Sequence, residues 1–117
     1  MAVISPPYVN FLSNPVLNIG STPTIILGSE HACIIDSILL TNVTSNNINV
    51  SLYILREVDD IGVQFPLPTI NIASLAYTDV LYNTTLTIQA GDILYAYSDF
   101  SSNLFNSCVS YRQLVEL

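Results

Sequence analysis

ILLTNVTSNNINVSLYIL, residues 38–55, sets two apolar runs on either side of a cluster of Asn, Ser and Thr. In the second run Ile48, Val50, Leu52 and Ile54 fall on one face, and Asn49, Ser51 and Tyr53 on the other. That period of two marks a strand with one buried side. In the first run Ile38 and Leu40 are in phase with each other. Between the runs, Thr44-Ser45-Asn46-Asn47 is turn chemistry, because Asn tolerates positive φ and its side chain closes an Asx turn. The stretch predicts a β-hairpin.

The same residues spell two glycosylation sequons, Asn42-Val-Thr44 and Asn49-Val-Ser51, and a third follows at Asn83-Thr-Thr85. Eleven Asn among so many Ser and Thr give roughly two such triplets by chance. Three is no excess, so the sequons are by-products of a β composition.

Working outward, no segment sustains an apolar period of 3.6, while β-branched residues, Tyr and Leu fill short runs bounded by turn clusters. Strands are predicted near 23–28, 33–43, 48–56, 69–73, 78–82, 85–89, 92–98 and 105–116. Gln89-Ala90-Gly91-Asp92 reads as a tight turn with Gly91 left-handed. About eight short strands at this spacing predict an all-β fold, an antiparallel β-sandwich of jelly-roll type. The expected division is an extended N-terminal arm over 1–22 and the sandwich over 23–117.

The 117 residues suffice for one domain with one core. Charged residues are 9% of the chain, against about 25% in an ordinary soluble domain. There is no Lys, the only Arg are Arg56 and Arg112, and the net charge is −7. A phosphate backbone is held chiefly by Lys and Arg, so nucleic acid is excluded as a partner and anionic membrane argued against. The opening MAVISPPYVN has no charged n-region and reads as no signal peptide, and no run approaches the ~18 apolar residues of a membrane helix. A surface so poor in charge does little to resist association, which predicts coverage by other chains and a homo-oligomer.

Two segments stand apart from the sandwich. Residues 1–22 combine Pro6, Pro7 and Pro15 with Tyr8, Val9, Phe11, Leu12, Val16 and Leu17. Proline argues against a central strand, so this segment is either an edge strand of its own domain or an arm lying on a neighbour. REVDDIGVQFPLP, residues 56–68, reads as a loop that either exposes Val63, Phe65 and Leu67 for contact or packs on its own sandwich. Tyr8, Phe11, Leu12, Val16, Leu17, Val63, Phe65 and Leu67 are the candidate interface residues.

The residues of catalysis are scarce. His31 is the only histidine, so no His-based metal cluster forms within one chain. A nucleophile elbow, a phosphate-binding Gly-rich loop and a zinc-protease helix are all missing from the sequence. The sequence therefore predicts no enzyme, no cofactor and no metal. Glu57 with Asp59-Asp60 is the densest acidic group, and it reads as a solvated loop before a weak calcium site. Cys33 and Cys108 fit no zinc or redox spacing and read as two reduced thiols in or near the core, with a disulfide as the alternative if their strands are neighbours. Asp36 in CIIDSILL would be buried under strict alternation, so a bulge that turns it outward or an ion pair with an Arg is expected. Tyr77, Tyr82, Tyr95 and Tyr97 belong to core or subunit interface, with a sugar platform as the alternative.

With the strands in place, Ser37-Ile38, Leu40-Thr41-Asn42, Val50 with Leu52-Tyr53-Ile54, and Ala90-Gly91-Asp92 with Leu94, Ala96 and Tyr97 form a pattern. Over about residues 24–117 the chain resembles the small β-sandwich virion structural proteins of tailed bacteriophages. These occupy tails, necks, fibre bases or capsid surfaces. The lack of Lys and the acidic stretch 57–60 depart from that pattern. The resemblance implies a non-enzymatic virion component assembled in the host cytoplasm, binding other virion proteins, with the tail, neck or fibre-attachment region favoured. A capsid decoration protein and a carbohydrate-binding host-recognition module are the alternatives, which keeps glycan as a second partner class.

Overall fold

The computed structural model describes residues 8–115, with the side chains of 11–114. Ten strands run in the order β1 Tyr8–Ile19, β2 Thr24–Gly28, β3 Cys33–Asn42, β4 Ile48–Val58, β5 Ile61–Pro66, β6 Ile70–Ile72, β7 Tyr77–Asp79, β8 Leu86–Ile88, β9 Ile93–Ser98 and β10 Phe105–Val115. They form two antiparallel sheets. The first has the order β1-β10-β3-β7, with β8 following β7 along the same side of β3. The second has the order β2-β9-β4-β5, with β6 on the same side of β4. Four strand positions per sheet, with most connections passing from one sheet to the other, is the jelly-roll form of the sandwich. The all-β sandwich expected from the sequence is therefore the fold. Ten strands replace the expected eight because β1 forms within the expected arm and β5 within the expected loop.

Alternation sets the core. Ile48, Val50, Leu52 and Ile54 of β4 are buried, as are Ile38 and Leu40 of β3. Facing rows from β9 and β10 supply Leu94, Ala96, Phe105 and Val109. Each of these side chains other than Ala96 contributes about 1.5–3 kcal/mol by leaving water. Ser107 lies among them with its hydroxyl unpaired.

Residues 38–55 require a correction. β3 and β4 lie in different sheets, so the stretch is a corner between layers and no hairpin. Its turn chemistry is real, because Asn42 bonds Asn46, Ile72 and Ala73 carbonyls through Nδ2 and receives Thr44 N and Oγ at Oδ1. Turn residues serve either purpose, and the choice is made by the faces that the flanking strands must bury. The Gln89–Asp92 turn repeats the case. Gly91 has φ 86° as expected, yet β8 and β9 also belong to different sheets.

The expected 56–68 loop is instead mostly a hairpin of β4 and β5. Asp59 and Asp60 form its two-residue tip, with φ 53° and 63°. Both central residues of a type I′ turn need positive φ, which Asp tolerates. Residues 8–19 of the expected arm form β1, which pairs along β10 from Tyr8↔Val115 to Ile19↔Phe105 as the edge of the first sheet. Residues 1–7 lie outside those described.

Candidate assembly surfaces

Pairing registers place side chains in rows across the outer face of the first sheet. Pro15, Cys108, Leu39 and Asp79 form one row. On one side of it Ser13, Ser110 and Ser37 form the next. On the other side Asn106, Thr41 and Tyr77 align, with Leu17 following Val16 on β1. Leu17 and Tyr77 are 65% and 75% exposed, whereas the serine row carries no large side chain. Phe11, at 79%, stands beyond the serine row beside Arg112.

Asp36 belongs to this face. The register of β3 against β10 shifts between Ser110 and Tyr111, and the extra β3 residue is Asp36. Its carboxylate accepts from Arg112 Nε at 3.0 Å and Nη2 at 2.8 Å. The bulge and the ion pair expected as alternatives are both present. The pair is about one-third exposed and neutral as a unit. Asp79 Oδ1 accepts the backbone N–H groups of Ile38 and Leu81.

The outer face of the second sheet holds a cluster of tyrosines. Tyr53 stacks on Tyr95 at 4.9 Å between ring centroids and meets Tyr97 edge-on at 6.4 Å. Burial, then the neighbouring Tyr95 and Tyr97 hydroxyls, pushes the Tyr53 phenol above its ordinary value. Ile25 extends the patch to edge strand β2. Tyr53 was missing from the sequence-derived set, although its out-facing place beside Asn49 and Ser51 was legible. Tyr77 and Tyr82 are well exposed on the other sheet's side of the molecule and join no cluster with Tyr95 and Tyr97.

The β4–β5 hairpin carries Val58, Ile61 and Phe65, all exposed. At its root the Arg56 guanidinium donates to both oxygens of the buried Asp92, at 2.9 and 2.6 Å, and lies 5.6 Å from the Phe65 ring. A shallow pocket of about 230 Å³ opens here, lined by residues 55–57 and 89–93. Its single cation is already matched by Asp92, and Glu57 opposes any second anion.

The candidate interface residues separate. Phe11, Leu12, Leu17 and Phe65 are exposed, and Val63 is half-buried on the hairpin. Val16 and Leu67 pack against the core. The side chain of Tyr8 lies outside those described. Cys33 is fully buried beside Tyr111, while Cys108 faces outward on β10. Cys33 pairs across to Gln113, five residues along β10 from Cys108, so the thiols stay apart. Among the described residues, no three His, Cys, Asp or Glu side chains assemble into a metal-binding group.

No family model matches the chain, and no curated protein does. Among solved structures, it is similar to a chain of the work described as "Bacillus endospore appendages form a novel family of disulfide-linked pili". The match covers 99% of this chain and 98% of that one, with a TM-score of 0.52 and 14% identity. At that identity the likeness shows a shared fold. It overturns the expected tailed-phage virion role and its alternatives: the architecture matched end to end comes from a bacterial appendage. The motifs behind the virion resemblance lie on β3, β4 and β9 and at the corner that precedes β9.

Proposed function

We propose that this chain is a non-catalytic structural subunit that joins copies of itself into a polymer. The observation that carries the reading is that, among the described residues, the two flanks of the sandwich are open and different. One flank carries edge strands β1 and β2, and the other carries β5–β6 and β7–β8. Open edges are templates for pairing with another chain. When two different edges meet, the contact is heterologous and repeats, giving a ring or an open helical filament.

Three further features support this reading. Only 9% of residues are charged, which suits surfaces buried against copies. The edges are moderated by Pro15 in β1, by Pro66 at the end of β5 and by Pro68 between β5 and β6, as befits pairing in one register. The architecture is shared over nearly its full length with a chain from a pilus structure. In the present chain Cys108 is the thiol with access to the outside, so any covalent link between subunits would pass through it.

Light scattering and negative-stain electron microscopy of the purified chain test the reading. Polymers or closed rings at micromolar concentration are expected, and Ile25→Asp on β2 should reduce them at least ~10-fold, the equivalent of 1.4 kcal/mol per joint. A monomer at every concentration would sink it.

A further inference from the structure

We infer that polymers of this chain pair through the outer face of the first sheet, packed on the same face of a second copy around a two-fold axis. The inference rests on the self-assembly reading but concerns a different surface from the edges.

Charge limits where copies can meet. Each chain carries −7, and both arginines are used in bidentate pairs with Asp92 and Asp36. Exposed carboxylates at Glu30, Glu57, Asp59, Asp60 and Asp99 then repel an approaching copy. The rows around Cys108 avoid this. Their only charges are the self-neutral Asp36–Arg112 pair and Asp79 at the far edge, whose Oδ1 is turned to two backbone amides.

Shape selects the second copy as the occupant. The central row Pro15–Cys108–Leu39 is flanked by a flat row, Ser13–Ser110–Ser37, and by a row raised at both ends by Leu17 and Tyr77. A two-fold axis lying along the central row turns one copy's raised row onto the other's flat row. Bump meets flat on both sides at once, which is the self-complementarity an isologous contact requires. Sheets stacked this way lie about 10 Å apart at an angle of about −30°, so their corners diverge. Asp79, at the end of its row, meets its own copy at the rim of the contact, where water and salt screen the two carboxylates. The axis also brings the two Cys108 side chains opposite each other.

Cys108 is therefore a built-in reporter, and the fully buried Cys33 is silent. The experiment treats the assembled chain with a short bismaleimide and follows dimers on denaturing gels, alongside light scattering. Wild type is expected to give a dimer that Cys108→Ser abolishes. Leu39→Glu and, separately, Ser110→Tyr, which fills the flat row without adding charge, should each lower the dimer yield at least ~10-fold. Both should leave edge-joined polymers and the thermal midpoint in place. Assembly without Cys108 cross-linking, or full cross-linking in Ser110→Tyr, overturns the face pairing and leaves the polymer reading intact. A chain that stays monomeric throughout overturns both.

Discussion

Asn42 and Asp92 stand at opposite ends of the sandwich, each where the chain leaves the first sheet for the second. Both are almost fully buried, and both use one short polar side chain to gather the backbone of a corner. Their chemistry differs. Asn42 is neutral and acts mainly as a donor, its Nδ2 lying 2.7, 3.2 and 3.1 Å from the Asn46, Ile72 and Ala73 carbonyl oxygens. Asp92 is an acceptor throughout, taking Gln89 N at 2.8 Å and both arms of Arg56. The amide corner is self-contained. The carboxylate corner needs a cation and ties the β4–β5 hairpin to the sandwich through it.

Exchanging the two chemistries is the sharpest way to break this comparison. Asn42→Asp sets a carboxylate against three carbonyl oxygens and removes the donor they share. A loss of about 3 kcal/mol at neutral pH is expected, from several buried groups left unpaired. Protonation restores a donor, so the deficit should shrink as pH falls, which urea unfolding at several pH values would show. A deficit that does not change with pH would mean the corner is held by packing rather than by the amide.

The reciprocal change, Asp92→Asn, is expected to cost less, about 2 kcal/mol at pH 7. Arg56 keeps 30% of its surface in water and can rehydrate when its partner's charge is lost. The pH dependence has the opposite sign. In the folded chain the hydrogen bonds from Arg56 hold Asp92 below its ordinary value of 3.8, against the upward push of burial and with help from Gln89 N–H. The folded state therefore binds that proton less readily than the unfolded chain does. The stabilisation is complete above the unfolded value and disappears as pH falls through the folded one. Wild type and Asp92→Asn should accordingly converge in stability on the acid side of 3.8 and separate above it. Parallel curves would remove the ionised pair from the account.

These corners also mark where the sequence stops being legible. Alternation in Ile48–Val50–Leu52–Ile54 revealed a buried face, and Gly91 revealed a positive φ, because both are consequences of local geometry. Whether Asn42–Asn47 joins two neighbours in one sheet or two layers is decided by partners distant in sequence, such as Ile72 and Ala73. No local pattern encodes that. The hairpin tip at Asp59–Asp60 was hidden for a different reason: the usual sign is Asn-Gly or Asp-Gly, and here two aspartates take the strained positions. On the outer face of the first sheet, the side-chain types and their alternation were readable. Their gathering into rows depends on the β1–β10–β3 registers, which were not.

A smaller effect, of opposite direction, is expected inside the core between the corners. Ser107 is buried on β10 between Val16 and Leu40, and its hydroxyl has no partner. Ser107→Ala removes an unpaid desolvation and should stabilise by about 1 kcal/mol in denaturant titration. A loss of stability would reveal a water that the hydroxyl holds in solution.

The smallest effect belongs to the other Asp–Arg pair, and it isolates burial as the variable. Asp36 and Arg112 reproduce the bidentate geometry of Asp92 and Arg56 almost atom for atom, at 3.0 and 2.8 Å. Their side chains are 38% and 33% exposed, whereas Asp92 is at 2%. Water and salt screen the exposed pair, and both groups rehydrate when it separates. The bulge that turns Asp36 outward already relieves the carboxylate of burial, so the ion pair is left with little to hold. Asp36→Asn should leave the unfolding midpoint unchanged within error at physiological salt, while Asp92→Asn does not. A comparable loss from both would mean that fork geometry, rather than removal from water, sets the strength of these pairs.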